Sequence, residues 1–250
     1  MNQSLFKYSL HLGDNALIIG HRLSEWCGHG PVLEQDIALT NIALDFVGQA
    51  RMWFQYAGEI EGKGRTEDDL AYLRLERDYT NCLLTEQTNG HWGKTILRQY
   101  LYDVYNYQLY EDLMESQDER IAAIAVKSIK EIAYHREFST DWLYRLSGGT
   151  EESQQKMQEA LDELYHYAGE LVEHFSWEQE LAQQGLIQRR ENPGEAYFSI
   201  INHEMDRAGL DVPYDRPMQT GGRTGLHTEH MGFILTELQY MQRTYPGVEW

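Results

Sequence analysis

Only one of the five prolines, Pro31, falls within the first 190 residues of this 250-residue chain. Proline removes a backbone donor and clashes with the preceding helical turn, so its scarcity permits long unbroken helices. Apolar residues recur at helical rather than strand spacing through most of the chain. The pattern predicts helices over about 4–26, 33–61, 67–86, 92–116, 119–147, 152–184, 194–208 and 226–244. Gly28-His29-Gly30-Pro31, Gly62-Lys63-Gly64, Thr88-Asn89-Gly90 and Gly148-Gly149-Thr150 punctuate them. Thr66 is expected to cap the third helix, with Asp68 and Asp69 at the positive end of its dipole. Asp211–Gly225, with Pro213, Pro217, Gly221 and Gly222, reads as a loop. Helices of this length favour an all-α bundle. With no repeat and no linker composition, a single helical domain over 1–250 is expected.

Composition excludes several function classes. The 21 Lys and Arg stand against 40 Asp and Glu, a formal charge of −19. Such a field repels nucleic-acid phosphate and anionic membrane surfaces, so neither is an expected partner. The first residues lack a basic stretch followed by a long apolar run, so no signal peptide is expected. No apolar stretch is long enough to span a bilayer. Cys27 and Cys82 form no Cys-x-x-Cys and imply no disulfide framework. Two reduced cysteines suit the cytoplasm, the expected location.

Four acids then stand out, one on each of the second to fifth predicted helices. Asp45 shares a stripe with Ala38, Ile42, Gln49 and Met52. Glu76 lies with Tyr72, Leu73, Tyr79 and Leu83. Asp103 lies with Ile96, Tyr100, Tyr107 and Tyr110, and Glu131 with Ile124, Tyr134, His135 and Phe138. In an antiparallel bundle with short turns, their spacing brings all four to a similar height. Ferritin-like di-iron proteins place Glu-x-x-His on two helices and one carboxylate on each of two others. Here the segments read Glu76-Arg-Asp-Tyr79 and Glu131-Ile-Ala-Tyr134, with tyrosine at both histidine positions. An acid on an apolar face is more often a rim residue or an ion-pair partner than part of a site. Four at matched spacing point instead to a degenerate di-iron site that binds no metal. Buried carboxylates without metal need other compensation. Tyr79 and Tyr134 can donate hydroxyl protons, and Lys127, four residues before Glu131, is expected to bring an ammonium to the cluster. The alternative is a metalloenzyme with an atypical site around Glu131 and His135, and a third reading is an iron-storage or ferroxidase protein.

Other motifs are weaker. Gly225-Leu226-His227-Thr228-Glu229-His230 gathers two histidines and an acid. Without a third and fourth ligand, capping a helix start or contacting a partner is the expected role. Gly221-Gly222-Arg223-Thr224-Gly225 lacks the Lys-Ser/Thr of a phosphate-binding loop. Tyr100, Tyr102, Tyr105, Tyr107 and Tyr110 surround several faces of one helix, more than one bundle easily buries, so they are expected to face a partner subunit.

Five segments carry a resemblance: Leu12-Gly13-Asp14-Asn15, Glu25-Trp26-Cys27-Gly28-His29, Asp45-Phe46-Val47-Gly48-Gln49-Ala50-Arg51, Lys130-Glu131-Ile132-Ala133-Tyr134-His135 and the Gly225–His230 segment. Together they resemble the C-subunit family of bacterial phenylacetyl-CoA epoxidases, over nearly the whole chain. The resemblance implies a ferritin-like long-helix bundle with flanking helices and a place in a phenylacetate-degrading monooxygenase complex. It implies a catalytic A subunit, homologous to this one, that holds di-iron, binds the CoA ester and uses O2 to form a ring 1,2-epoxide. Electrons come from NADPH through a reductase. This chain is then a non-catalytic, structural partner in a hetero-oligomer, with no cofactor of its own. Set against the ligands of the catalytic chain, Asp45 stands where glutamate is expected, and Glu76, Asp103 and Glu131 match acids. Tyr79 and Tyr134 replace the histidines.

Overall fold

The computed structural model describes residues 1–188, 190 and 192–248. Among the described residues there are nine α-helices and no strands: α1 Gln3–Ser24, α2 Leu33–Glu61, α3 Glu67–Tyr72, α4 Trp92–Met114, α5 Glu119–Ser147, α6 Glu151–Leu164, α7 Ser176–Gln183, α8 Pro193–Arg207 and α9 Glu229–Thr244. The chain is all-α, built on long paired helices of the ferritin-like kind. It divides into two compact units, one of Met1–Gln87 with Gly221–Trp250, the other of Thr88–Thr220. In the first unit α1 packs along α2. From Tyr8 to Gly20 α1 is buried on every face. Gly13 makes this possible, because a Cβ there would come within 2.5 Å of the Phe54 ring on α2. Helix α2 ends at Gly62, left-handed at φ 67°, whose N–H returns to the Gly58 carbonyl.

The third helix is far shorter than its pattern predicts. Thr66 and Asp69 form the expected capping box, but α3 stops at Tyr72. A helix running to residue 86 would bond the Thr80 N–H to residue 76 and the Cys82 N–H to residue 78. Side chains from α1 take these groups instead. The Asp14 carboxylate accepts from the Thr80 N–H at 2.8 Å, and Asn15 Oδ1 accepts from the Cys82 N–H at 2.8 Å. Arg22 donates twice to the Glu86 carbonyl, at 3.0 and 2.8 Å. Residues 73–91 are therefore an irregular, side-chain-tethered segment carrying one 3-10 turn at Glu76–Asp78. Helix α9 packs against α3 and that turn.

In the second unit α4 packs against α5, α6 and α8. The sixth helix also ends early, at Leu164 rather than near residue 184. The Gln219 N–H takes the His166 carbonyl at 2.7 Å, the acceptor a continuing helix would offer to Glu170. Gly169 admits Met218, which lies 2.7 Å from where a Cβ would stand. Two short 3-10 turns at Tyr165–Tyr167 and Gly169–Val172 follow before α7. The α4 tyrosines correct the partner expectation. Tyr100, Tyr102, Tyr105 and Tyr110 are all buried within the chain, and half-buried Tyr107 carries the Arg136 guanidinium 4.8 Å above its ring. Helix α8 adds a further phenol there, as the Tyr197 hydroxyl donates to the Leu101 carbonyl at 2.9 Å.

Candidate functional site

The buried face of α5 runs through Ile121, Ala125, Ser128, Ile132, His135, Ser139 and Leu143. Glu131 and Lys127 sit one position off this stripe, which is why Glu131 is only half-buried and Lys127 is exposed. Lys127 is thus turned to solvent rather than toward a buried carboxylate. Tyr134 is also exposed, its ring edge-on to His135 and tilted against Phe138 with centroids 6.3 and 6.4 Å away.

Asp103, on α4, is completely buried. Gln99, one turn earlier, donates to Oδ1 at 2.6 Å, and Ser139 of α5 bonds Oδ2 at 2.8 Å. Loss of water is the main influence on this carboxyl and pushes it up to about 7, with His135, Ser139, Gln99 and Arg136 opposing. When Asp103 is protonated its hydroxyl can donate to Ser139, whose own proton turns to the Arg136 carbonyl at 3.3 Å. The local environment therefore satisfies a neutral carboxylic acid through Gln99 and Ser139.

The other sequence-selected residues lie in the first unit. Asp45 is half-buried on α2. Glu76 is exposed on the 3-10 turn, and Tyr79 follows it in extended backbone rather than on a helical face. The Tyr79 hydroxyl donates to the Ala71 carbonyl and accepts from Gln239 Nε2 at 2.9 Å. Its pKa is pushed up to about 12, chiefly by burial. Tyr79 thus serves the backbone, not a carboxylate. Among the described residues, no group of three or more His, Cys, Asp and Glu side chains is arranged to hold a metal ion. The donor set does not fit a di-iron centre: Glu76 has left the helical register, and the candidate histidine positions carry a buried, backbone-bonded tyrosine and an exposed one. Cys27 and Cys82 form no disulfide.

The chemistry that sequence reading missed is a buried polar network in the first unit. Asp14 receives two nitrogens of Arg74 as well as the N–H and hydroxyl of Thr80. The Arg74 guanidinium lies 4.1 Å above the Tyr79 ring. Nearby, Glu86 is wholly buried and takes four donors: Asn81 Nδ2 at 3.0 Å, His227 Nδ1 at 2.9 Å, and the N–H and hydroxyl of Thr228 at 2.6 and 2.7 Å. The other ring nitrogen of His227 meets the Tyr79 carbonyl at 3.0 Å. Both nitrogens face acceptors, so His227 is an imidazolium. Burial acts against its charge, but Glu86 outweighs that and raises the pKa. His11 is the opposite case. Its Nδ1 donates to the Thr80 carbonyl at 2.6 Å and its Nε2 accepts from Asn15 at 3.1 Å, the pattern of a neutral ring. Burial, then the positive Arg223, lower its pKa well below the ordinary value. The Gly225–His230 motif thus leads into α9, where, contrary to its capping reading, the N-cap Thr228 makes no side-chain cap bond and His227 bonds Glu86 instead of the helix N–H groups. Gly225 adopts φ 79°, and a Cβ there would stand 2.3 Å from the Arg77 carbonyl.

A family model described as "Phenylacetic acid catabolic protein" matches residues 1–250. The chain belongs to this family. It is 46% identical over 250 residues, covering 100% of both chains, to the C subunit of the 1,2-phenylacetyl-CoA epoxidase of Escherichia coli (strain K12). Two of the segments that carry the resemblance have physical roles in the fold. Leu12-Gly13-Asp14-Asn15 supplies close helix packing and two tethers for residues 73–91. Gly225–His230 supplies the clamp on α9. No helix of the described residues is long and apolar enough to cross a membrane.

Proposed function

We propose that this chain is the non-catalytic, structural C-type subunit of a phenylacetyl-CoA epoxidase, acting in the cytoplasm in phenylacetate breakdown. Its partner is the di-iron A subunit, which carries the O2 chemistry with electrons delivered from NADPH by a reductase. Full-length identity to a C-type chain is the observation that carries this reading. The residue chemistry supports it. Asp103 is satisfied by Gln99 and Ser139, and Glu76 and Tyr79 are not held as a metal-binding pair. In this reading the chain contributes a rigid all-α surface that stabilises its catalytic partner.

Co-expression with the A subunit, followed by metal analysis of each separated chain, tests the proposal. The expected result is co-purification, with iron confined to the A subunit. Near-stoichiometric iron in this chain would overturn the structural reading in favour of a metalloenzyme using Glu131 and His135. Failure to co-purify would remove the pairing.

A further inference from the structure

The outward face of α2 is apolar where a solvent-facing helix is ordinarily polar. Leu33, Ile37, Leu44 and Val47 are 71%, 51%, 63% and 41% exposed. At 3.6 residues per turn they fall within an arc of about 80° and extend roughly 21 Å along the axis. Four large apolar groups aligned in this way, with the half-buried Thr40 between Ile37 and Leu44, form a stripe rather than the scattered exposure common on surfaces. Gly48 lies on the flank of the same face, and a Cβ there would meet nothing within 4 Å. Glycine weakens a helix interior, and nothing inside the chain requires one here. Its absent side chain lets a neighbouring backbone come close.

The border of the patch states what kind of neighbour fits. Glu34 and Asp45 lie on one flank and Asp36 on the other. The helix carries one basic residue, Arg51, and that side chain is bonded to Glu67 at 3.1 Å. A second copy would bring acidic borders against acidic borders on chains of formal charge −19. We infer that the Leu33–Val47 face of α2 docks a helix of another subunit whose apolar stripe is bordered by lysine and arginine. Resting on the pairing proposed above, that neighbour is the catalytic chain. The buried tyrosines of α4 are not available for this contact, whereas α2 presents its apolar groups without any rearrangement.

The test compares wild type, Ile37→Asp, Leu44→Asp and the milder Leu44→Gln for affinity to the purified catalytic chain. Because both positions face solvent, helicity and melting temperature of the isolated variants should stay unchanged. Each Asp variant is expected to weaken pairing about tenfold or more, as loss of a central apolar contact does. Leu44→Gln should weaken pairing less, Phe233→Asp at an exposed position of α9 should leave it unchanged, and Glu34→Lys should weaken it. Wild-type affinity should also fall with added salt. If wild type pairs and the α2 variants pair equally well, this inference fails and the pairing stands. If wild type does not pair, the pairing itself fails. A wild-type homodimer in sedimentation that the α2 variants dissociate would make the occupant a second copy and overturn the inference.

Discussion

At the scale of single residues, stability turns on charges that are buried with and without partners. Asp103 has its pKa raised, mainly by burial, to about 7. The sign follows from linkage. Between the unfolded value near 3.8 and about 7, the folded chain holds a proton that the unfolded chain has released, so stability falls as pH rises across that window. Asp103→Asn keeps the size and neutral hydrogen bonding of the protonated acid. It should therefore be stabilising at pH 8, by a gain on the order of 4 kcal/mol, and close to neutral at pH 4. Urea unfolding at the two pH values checks this, and equal effects at both would refute the buried neutral acid. The same residue shows what sequence does and does not reveal. Asp103 on an apolar face is legible from helical spacing. Gln99, four residues earlier on the same helix, is legible too, but Ser139 is an ordinary residue until α5 is rotated correctly against α4. The offset of one position on α5 also explains why pattern alone points Glu131, Tyr134 and Lys127 inward. Their neighbour Ile132, with His135 and Ser139, carries the buried stripe.

At the scale of elements, α1, α2, α4, α5 and α8 follow from periodicity and punctuation to within two residues at each end. Each buries a face of its own and needs no distant side chain to set its ends. The segment after α3 and the end of α6 are not legible, because long-range hydrogen bonds interrupt sequences that are locally helical. Asp14, Asn15 and Arg22 are 60 or more positions from the backbone groups they hold. Helix α9 depends on one of these distant devices. The His227 imidazolium joins the Glu86 carboxylate to the Tyr79 carbonyl. Since its folded pKa is raised, the stabilisation is fully present below the unfolded value of about 6.5 and is lost as pH rises through the raised value. Asp14 adds a favourable charge to His227, while the neutral His11 contributes none. His227→Gln should cost about 1–3 kcal/mol below pH 6.5 and progressively less above it. Amide exchange of α9 measured against pH reads this directly, and a pH-independent cost would show that His227 is neutral in the fold.

At the scale of the whole molecule, the family and the all-α architecture are both recoverable from sequence, because the segments around Asp14, Asp45, Glu131 and His227 lie along nearly its whole length. Two of those segments prove to be framework. The Leu12–Asn15 and Gly225–His230 segments set packing and tethers, so their chemistry supports a fixed shape. A framework with an acidic, apolar α2 face suits a subunit whose contribution is a surface. The rate of phenylacetyl-CoA epoxidation by the catalytic chain and reductase, with and without this one, tests that central claim most directly. Activity should be lost when the chain is omitted and return when it is added back, including when it carries Glu131→Ala. A catalytic partner that is fully active and stable alone, or a complex inactivated by Glu131→Ala with pairing intact, would contradict it.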